Sequence, residues 1–355
     1  MLWLLLLGVQ VPGIAALRAL FGWPLALLLP ALLTLPYLPM MAHPWHPPAP
    51  RPAQRQALLV FFSWWAACLS GWLLLPLALL VGRLVGLSAH VSLLAGGGLS
   101  LLSGVRAVWH RPRVVRTTLE IPGLPAAFEN YQVVHLSDVH CGPWTPPLRV
   151  RDWVERINAL GADLVAVTGD LITTGSEYVP AVSQALGGLR ARDGVFACMG
   201  NHDYFTDGEA FARALEHAGL EVLRNRGQSI ERDGERLYVA GADDTWTSRA
   251  DVAAALDARP PEAPTLLLAH DPMLFPEAAA AGVELTLSGH THGGQFAVPV
   301  FHRRLNLARF TSLFTVGLYR TGRSILHVSR GAGTTGPPIR LGAPAEISVL
   351  TLRAA

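Results

Sequence analysis

The sequence predicts a mixed α/β sandwich, in which helices cover two packed sheets, behind an apolar front of about four transmembrane helices. Three observations carry that prediction. None of the 26 acidic residues precedes Glu120, and four stretches of the front contain no charged side chain. From Tyr131 onward, short apolar runs alternate with helix-like stretches. Farther on, four strand-like runs follow with no helix between them, which a doubly wound sheet would not give.

The front is read first. Its uncharged stretches are Met1–Leu17, Ala19–Met41, Ala57–Gly82 and Leu84–Val105. About 20 apolar residues cross a hydrocarbon core, so the third is ample and the fourth adequate. The second is long enough but carries Pro24, Pro30, Pro36 and Pro39, which shorten or kink a helix. The first is marginal, and no basic segment precedes it as a cleaved signal peptide would require. His43–Pro52, with five prolines, reads as a loop. Arg51 and Arg55, and then Arg106, Arg111, Arg113 and Arg116, fall on one side of a four-span arrangement. The positive-inside rule makes that side cytoplasmic. The expectation is a multi-pass inner-membrane protein with residues 1–105 in the bilayer, a connector at 106–125, and a cytoplasmic catalytic domain at 126–355.

The back half has the opposite charge. All 28 basic residues are arginine; eight precede Glu120, leaving 20 against 26 acids, a net of −6. That balance argues against a nucleic-acid backbone as partner. Strands are expected at Tyr131–Leu136, Leu164–Val167, Val195–Met199, Thr265–Leu268 and Leu285–Leu287, then at Ser229–Ala240, Leu313–Tyr319, Ile325–Ser329 and Glu346–Leu352. Helices are expected at Pro147–Leu160, Tyr178–Ala191 and Asp207–Ala218. Cys68, Cys141 and Cys198 give no disulfide framework. Cys141 reads as a small residue tolerated beside polar groups rather than a reactive thiol.

Each of the first five strands runs into a polar cluster: Asp138-Val139-His140, Gly169-Asp170, Gly200-Asn201-His202-Asp203, Ala269-His270-Asp271 and Gly289-His290-Thr291-His292. Together these supply every ligand that a two-metal phosphoesterase site needs. Phosphate esters repel nucleophiles, and two divalent ions overcome this by holding a hydroxide between them and clamping the phosphoryl oxygens. Asp170, alone after its strand with Gly169 permitting close backbone approach, is the natural bridging carboxylate. Asp138 and His140 share a side of an extended segment and can share one ion. His290 and His292, in a loop, can diverge to one ion each. Asn201 offers a neutral hard oxygen. His202 is then free to stabilise the transition state and protonate the leaving alkoxide. An N/O ligand set suits manganese, iron or zinc.

These motifs, taken together over roughly Tyr131–Leu352, resemble the calcineurin-like metallophosphoesterase superfamily. His135-Leu136-Ser137-Asp138-Val139-His140, the run Gly289–Gln295 and the run Ser329–Gly336 are similar to its membrane-anchored bacterial branch. The resemblance implies a four-layer α/β/β/α sandwich. It implies one metal held by Asp138, His140, Asp170 and His292, a second held by Asp170, Asn201, His270 and His290, and His202 as the catalytic residue. Two positions depart from relatives. Thr173 stands where many carry a second acid, and Leu171-Ile172-Thr173-Thr174 with Asp203 replace the pattern of protein serine/threonine phosphatases.

Other polar residues receive plainer readings. Asp203 is expected to orient His202, and His135 to be a core histidine. His217, His302 and His327 are expected to be structural or surface groups. Trp144, Tyr204 and Arg330 are weighed as substrate contacts and more readily placed as ordinary packing or surface residues. The Gly331–Gly336 turn lacks the lysine and helix of a P-loop. The expected function is a membrane-bound binuclear-metal phosphohydrolase, a phosphodiesterase or pyrophosphatase for a lipid-linked or envelope-related phosphate ester. A soluble substrate such as a cyclic nucleotide is the alternative within the same chemistry. A non-catalytic membrane scaffold is the alternative outside it.

Overall fold

A computed structural model describes residues 8–41, 50–298 and 301–355. The chain divides into two compact units, Met1–His110 with Gly336–Leu341, and Arg111–Thr335 with Gly342–Ala355.

In the first unit, two of the described helices are long and apolar enough to cross a membrane, Pro52–Leu84 and Ala89–Val108. They coincide with the two stronger apolar stretches of the sequence. The shorter one is started by Ser88, whose Oγ accepts the Val91 N–H at 3.3 Å. Gly104 packs on the longer helix so closely that an added Cβ would sit 2.5 Å from the Ala67 nitrogen. The two weaker stretches form shorter helices, Val11–Phe21 and Trp23–Thr34, broken at Gly22. Arg18 therefore lies inside a helix, not between two. Most of the apolar run Met1–Val9 and of the His43–Pro52 loop lies outside the described residues.

Among the described residues, the second unit holds twelve strands in two six-stranded sheets. The first runs β1 (Arg113–Ile121), β12 (Glu346–Ala354), β2 (Tyr131–Leu136), β3 (Leu164–Thr168), β4 (Val195–Cys198) and β5 (Glu221–Val222) in spatial order. The second runs β10 (Gly317–Thr321), β11 (Ser324–Val328), β9 (Leu285–Ser288), β8 (Thr265–Leu268), β7 (Glu235–Gly241) and β6 (Arg226–Arg232). Strands β2, β3 and β4 are parallel to one another, as are β7, β8 and β9.

The period of two decides what each strand face meets. Val133, Leu164 and Phe196 pack between the sheets against Val239, Leu266 and Leu287. Val134, Leu136, Val165 and Val167 point the other way, onto helices. Val150, Trp153, Val154 and Ile157, at helical spacing on Pro147–Asn158, form the matching stripe. On the far side, Ala240, Leu267 and Ala269 meet helices Val252–Leu256 and Phe275–Ala280. The layers are thus helix, sheet, sheet, helix.

Three expectations are corrected. The stretch 106–125 is not a plain connector: it contains β1, which pairs in parallel with β12 from Arg113↔Glu346 to Ile121↔Ala354. Its β-branched run from Val114 to Ile121 is the signal. Ser229–Ala240 is not one strand but the hairpin β6–β7, turning at Asp233-Gly234 with both residues at positive φ. The helix expected at Tyr178–Ala191 ends earlier, at Leu186.

Candidate metal centre

All five polar clusters leave the carboxyl ends of parallel strands, three from the first sheet and two from the second. They converge where the sheets meet, as ligand sites do in α/β folds. Asp138, His140, Asp170 and His292 bring one ligand atom each to within 4.8 Å of one another, and Asp170, His270 and His290 form a second such group. Asp170 belongs to both. Its Oδ2 lies 3.5 Å from His140 Nε2 and 3.2 Å from His270 Nε2, while its Oδ1 accepts the His202 backbone N–H at 2.9 Å.

The backbone at these positions is not extended. Asp138, His140, Asp170, His290 and His292 all sit at φ between +46° and +68°. The period-two argument for Asp138 and His140 therefore gives the right neighbours for the wrong reason: successive left-handed turns, not a pleat, bring them together. Such conformations cost on the order of 1–3 kcal/mol each in non-glycine residues and persist only where the surroundings enforce them. Gly169 is part of that enforcement, at φ +68° with Gly200 packed against it; a Cβ there would lie 2.5 Å from the Gly200 nitrogen. Asp138 accepts the His290 N–H at 3.0 Å, tying the first-sheet loop to the second.

Hydrogen bonds fix the imidazoles. Thr168 O accepts His270 Nδ1–H at 2.8 Å, which turns Nε2 toward Asp170 Oδ2, 3.2 Å away. Thr173 O accepts His202 Nδ1–H at 2.7 Å, so the Nε2 of His202 is the free end. The Thr173 side chain takes no part in that contact; its backbone carbonyl does. His202 also lies edge-on to His140, with centroids 4.7 Å apart, and against Phe205 at 4.6 Å.

Asp203 does not orient His202. Fully buried, it accepts N–H bonds from Leu171 (2.7 Å), Ile172 (3.3 Å) and Gly200 (2.9 Å), and so clamps the loops carrying Asp170 and Asn201. Asp207 caps its own helix through Ala210 N–H. Burial, then the charge of Asp170, push the Asp203 carboxyl up to about 7, against the pull of its backbone donors. Burial alone would lower the His270 ring, but the Asp170 carboxylate raises it to about 10.

Do these residues fit cations? His140 Nε2 and His292 Nε2 face each other at 3.0 Å, and His292 Nε2 lies 3.2 Å from Asp138 Oδ1. Lone pairs so placed repel unless one nitrogen carries a proton, and a divalent ion held by both rings would take that proton's place. Asn201 Oδ1 is buried with no hydrogen-bond partner, an orphan that costs about 1–3 kcal/mol unless something electropositive meets it. Hard oxygen and imidazole donors around one bridging carboxylate fit divalent cations.

The remaining candidates separate cleanly. His135 is buried on the sandwich side, with Nε2 2.7 Å from Thr168 Oγ1 and Nδ1 3.2 Å from His327 Nδ1. Tyr204 donates to Asp243 at 2.5 Å, inside a network with Arg224. Arg330 is paired with Glu346, and the glycine turn after it packs behind Asp138 and Val139. Cys141 is buried, and burial pushes its thiol up to about 12. A cleft of about 510 Å³ opens over the clusters. Asp170, Asn201, His202, His290 and His292 line its floor, and Phe205, Trp246, Met273, Phe296 and Leu307 line its sides. Neither Trp144 nor Tyr204 lines it. Sequence reasoning missed Trp246, which sits edge-on to His290 at 5.4 Å; its position four residues after Ala242, just beyond a strand end, was the available signal.

With that geometry in hand, comparison with known proteins is direct. Residues 131–294 match the family model for calcineurin-like phosphoesterases. The uncharacterized metallophosphoesterase YkuE of Bacillus subtilis is 32% identical over 275 residues, covering 76% of this chain and 94% of that protein. The chain belongs to the calcineurin-like metallophosphoesterase family. It is a metal-dependent phosphoric ester hydrolase of that family. It is also similar to the "transmembrane protein with metallophosphoesterase domain" of Danio rerio, 32% identical over 69% of this chain and 58% of that one. The Bos taurus protein of the same description is 34% identical over 67% and 57%. The chain thus spans nearly all of the bacterial relative and under two thirds of the vertebrate ones.

Proposed function

We propose that this chain is a membrane-anchored phosphodiesterase that holds two divalent cations and acts on a phosphate ester carrying an apolar group. The observation that carries the reading is Asp170 Oδ2, which faces His140 on one side and His270 on the other. Asp138, His140, Asp170 and His292 would hold one ion; Asp170, Asn201, His270 and His290 would hold the other. Such ions supply charge neutralisation at the phosphoryl oxygens and lower the pKa of water.

The protein's own groups do the rest. Asp203 fixes the two loops that carry Asp170 and Asn201. The Thr173 carbonyl holds His202 with Nε2 free at the cleft, placed to give a proton to the departing alkoxide. Phe205, Trp246 and Met273, exposed along the cleft, offer an apolar surface to one side of the ester. A lipid-linked or envelope-precursor phosphate ester would set its apolar part against those walls. The two long apolar helices and the flanking arginines favour an inner-membrane location with the catalytic unit in the cytoplasm.

The test is hydrolysis of bis(p-nitrophenyl) phosphate by the purified full chain loaded with manganese. Turnover that is lost in Asp170→Asn is expected. No turnover in the metal-loaded chain would refute the reading. A C-terminal reporter active only in the periplasm should stay silent; a strong signal would reverse the orientation.

A further inference from the structure

Between Glu284 and Glu346 lie 61 residues without one acid and with seven arginines, in a domain whose net charge is otherwise negative. The middle of that stretch, residues 301–313, stands on the cleft side of the unit and exposes Phe301 (59%), Leu305 (53%), Phe310 (87%) and Leu313 (63%). Arg303, Arg304 and Arg309 are exposed among them. None of the three forms an ion pair among the described residues.

This segment is ordered from within. Leu305 N–H donates to Phe301 O, and Val298 N–H to Leu305 O, both at 2.8 Å. Asn306, buried, donates to His302 O at 2.6 Å and to Thr315 Oγ1 at 3.3 Å. Thr315 O in turn accepts the Thr291 hydroxyl at 2.6 Å, inside the His290-Thr291-His292 loop. The inner residues of the same segment, Leu307, Ala308, Thr311 and Ser312, line the metal cleft. One face of the segment is therefore cleft wall, and the other presents aromatic and aliphatic side chains ringed by arginines, of which Arg309 donates to Leu313 O at 2.7 Å and none forms an ion pair among the described residues.

We propose that residues 301–313 dock on an anionic bilayer surface and so open the metal cleft at the level of the lipid headgroups. Contiguous exposed apolar side chains rimmed by polar groups mark an interaction surface. Arginine mixed with phenylalanine and leucine is the composition that seats a segment at the headgroup boundary of anionic lipid. A protein partner would need acids set against these arginines, whereas an anionic leaflet supplies both the charge and the apolar depth. In sequence, only Trp109–Pro112 separate the apolar helix Ala89–Val108 from β1, so the domain is tethered where such a surface is available. The proposal deepens the phosphodiesterase reading and rests on it only for the substrate, which would enter from the headgroup layer.

The experiment uses the full chain reconstituted in vesicles. Cys68, Cys141 and Cys198 are buried, so Phe310→Cys offers one accessible thiol for an environment-sensitive NBD label. In vesicles containing phosphatidylglycerol, the label should shift to the blue and be quenched by nitroxide lipids. The same label at Glu262→Cys, in the turn before β8 at the strand ends away from the cleft, should stay in water. Arg303→Glu with Arg304→Glu should lower insertion about tenfold. Phe310→Ser with Leu313→Ser should reduce turnover of a lipid-borne phosphodiester about tenfold while bis(p-nitrophenyl) phosphate is cleaved as before. A label at 310 that stays in water, or inserts equally into pure phosphatidylcholine, overturns the proposal. A 310–310 crosslink with the label in water would assign the face to a second copy of the chain and overturn it equally. If the wild type leaves the soluble diester intact, the phosphodiesterase reading fails, and the label alone still decides the docking.

Discussion

On the floor of the cleft Asp138, Asp170, His270 and His292 are at most 3% exposed, whereas in the segment flanking it Phe310 and Leu313 are 87% and 63% exposed. The floor spends its stability on buried charge and left-handed backbone and recovers it through contacts that leave each ligand no alternative position. Asp203 alone meets three backbone N–H groups there. The flank has no buried charge, and its backbone is tied at Asn306 and Thr315. Its apolar side chains face outward unsatisfied. The donor set of the floor fits divalent cations; the exposed side chains of the flank fit the bilayer surface proposed for them. One demand is electrostatic and the other hydrophobic.

The contrast can be broken at defined places. The largest effect is expected on the floor. His202→Ala should keep fold and metal yet lower turnover about 10²–10⁴-fold. That loss should be greatest for alkyl esters and smallest for nitrophenyl esters, whose leaving groups need little protonation. Loss of metal, or equal losses on both esters, would remove His202 from the role of proton donor. Next comes Asp203→Ala, which strands three buried N–H donors and should cost about 3 kcal/mol in urea unfolding, with weaker metal retention. A cost near zero would mean that the loops hold themselves. The flank should respond in the opposite way. Phe310→Ser, at an exposed position, should change folding stability by less than about 0.5 kcal/mol; a larger loss would show that Phe310 packs rather than waits for a surface.

The smallest effect concerns Cys141. Its thiol is raised to about 12 from an ordinary value near 9, so it stays protonated through neutral pH and loses its proton only as pH approaches that range. Iodoacetamide at pH 8 should label it only after unfolding. Rapid labelling of the folded protein would contradict the burial.

Much of this was legible in the sequence because the site is local. Each ligand follows a buried strand within a few residues, so the apolar runs at Tyr131–Leu136, Thr265–Leu268 and their neighbours place Asp138, Asp170, Asn201, His270 and His290 at strand ends without any tertiary knowledge. What failed was non-local or conformational. Asp203 reads as a partner for its neighbour His202, but two of its three backbone contacts lie some 30 residues back, at Leu171 and Ile172, and the third is at Gly200. The left-handed turns at Asp138 and His140 are invisible to a periodicity argument, which assumes one backbone. Strand β1 was hidden beside the membrane segment because its strand partner, β12, comes at the far end of the chain. Adjacency in sequence points to Trp144 and Tyr204 as cleft residues, whereas the cleft is lined by Phe205, one position beyond Tyr204, and by Trp246, brought in from a distant loop.

The central claim is that Asp170 serves two cations at once, and metal content measures it most directly. Elemental analysis of the purified full chain should give about two divalent ions per chain in the wild type, in keeping with two clusters sharing one carboxylate. Asp138→Asn should lose mainly one ion, and Asp170→Asn both. One ion or none in the reconstituted wild type, or equal and mild losses in the two variants, would contradict the account.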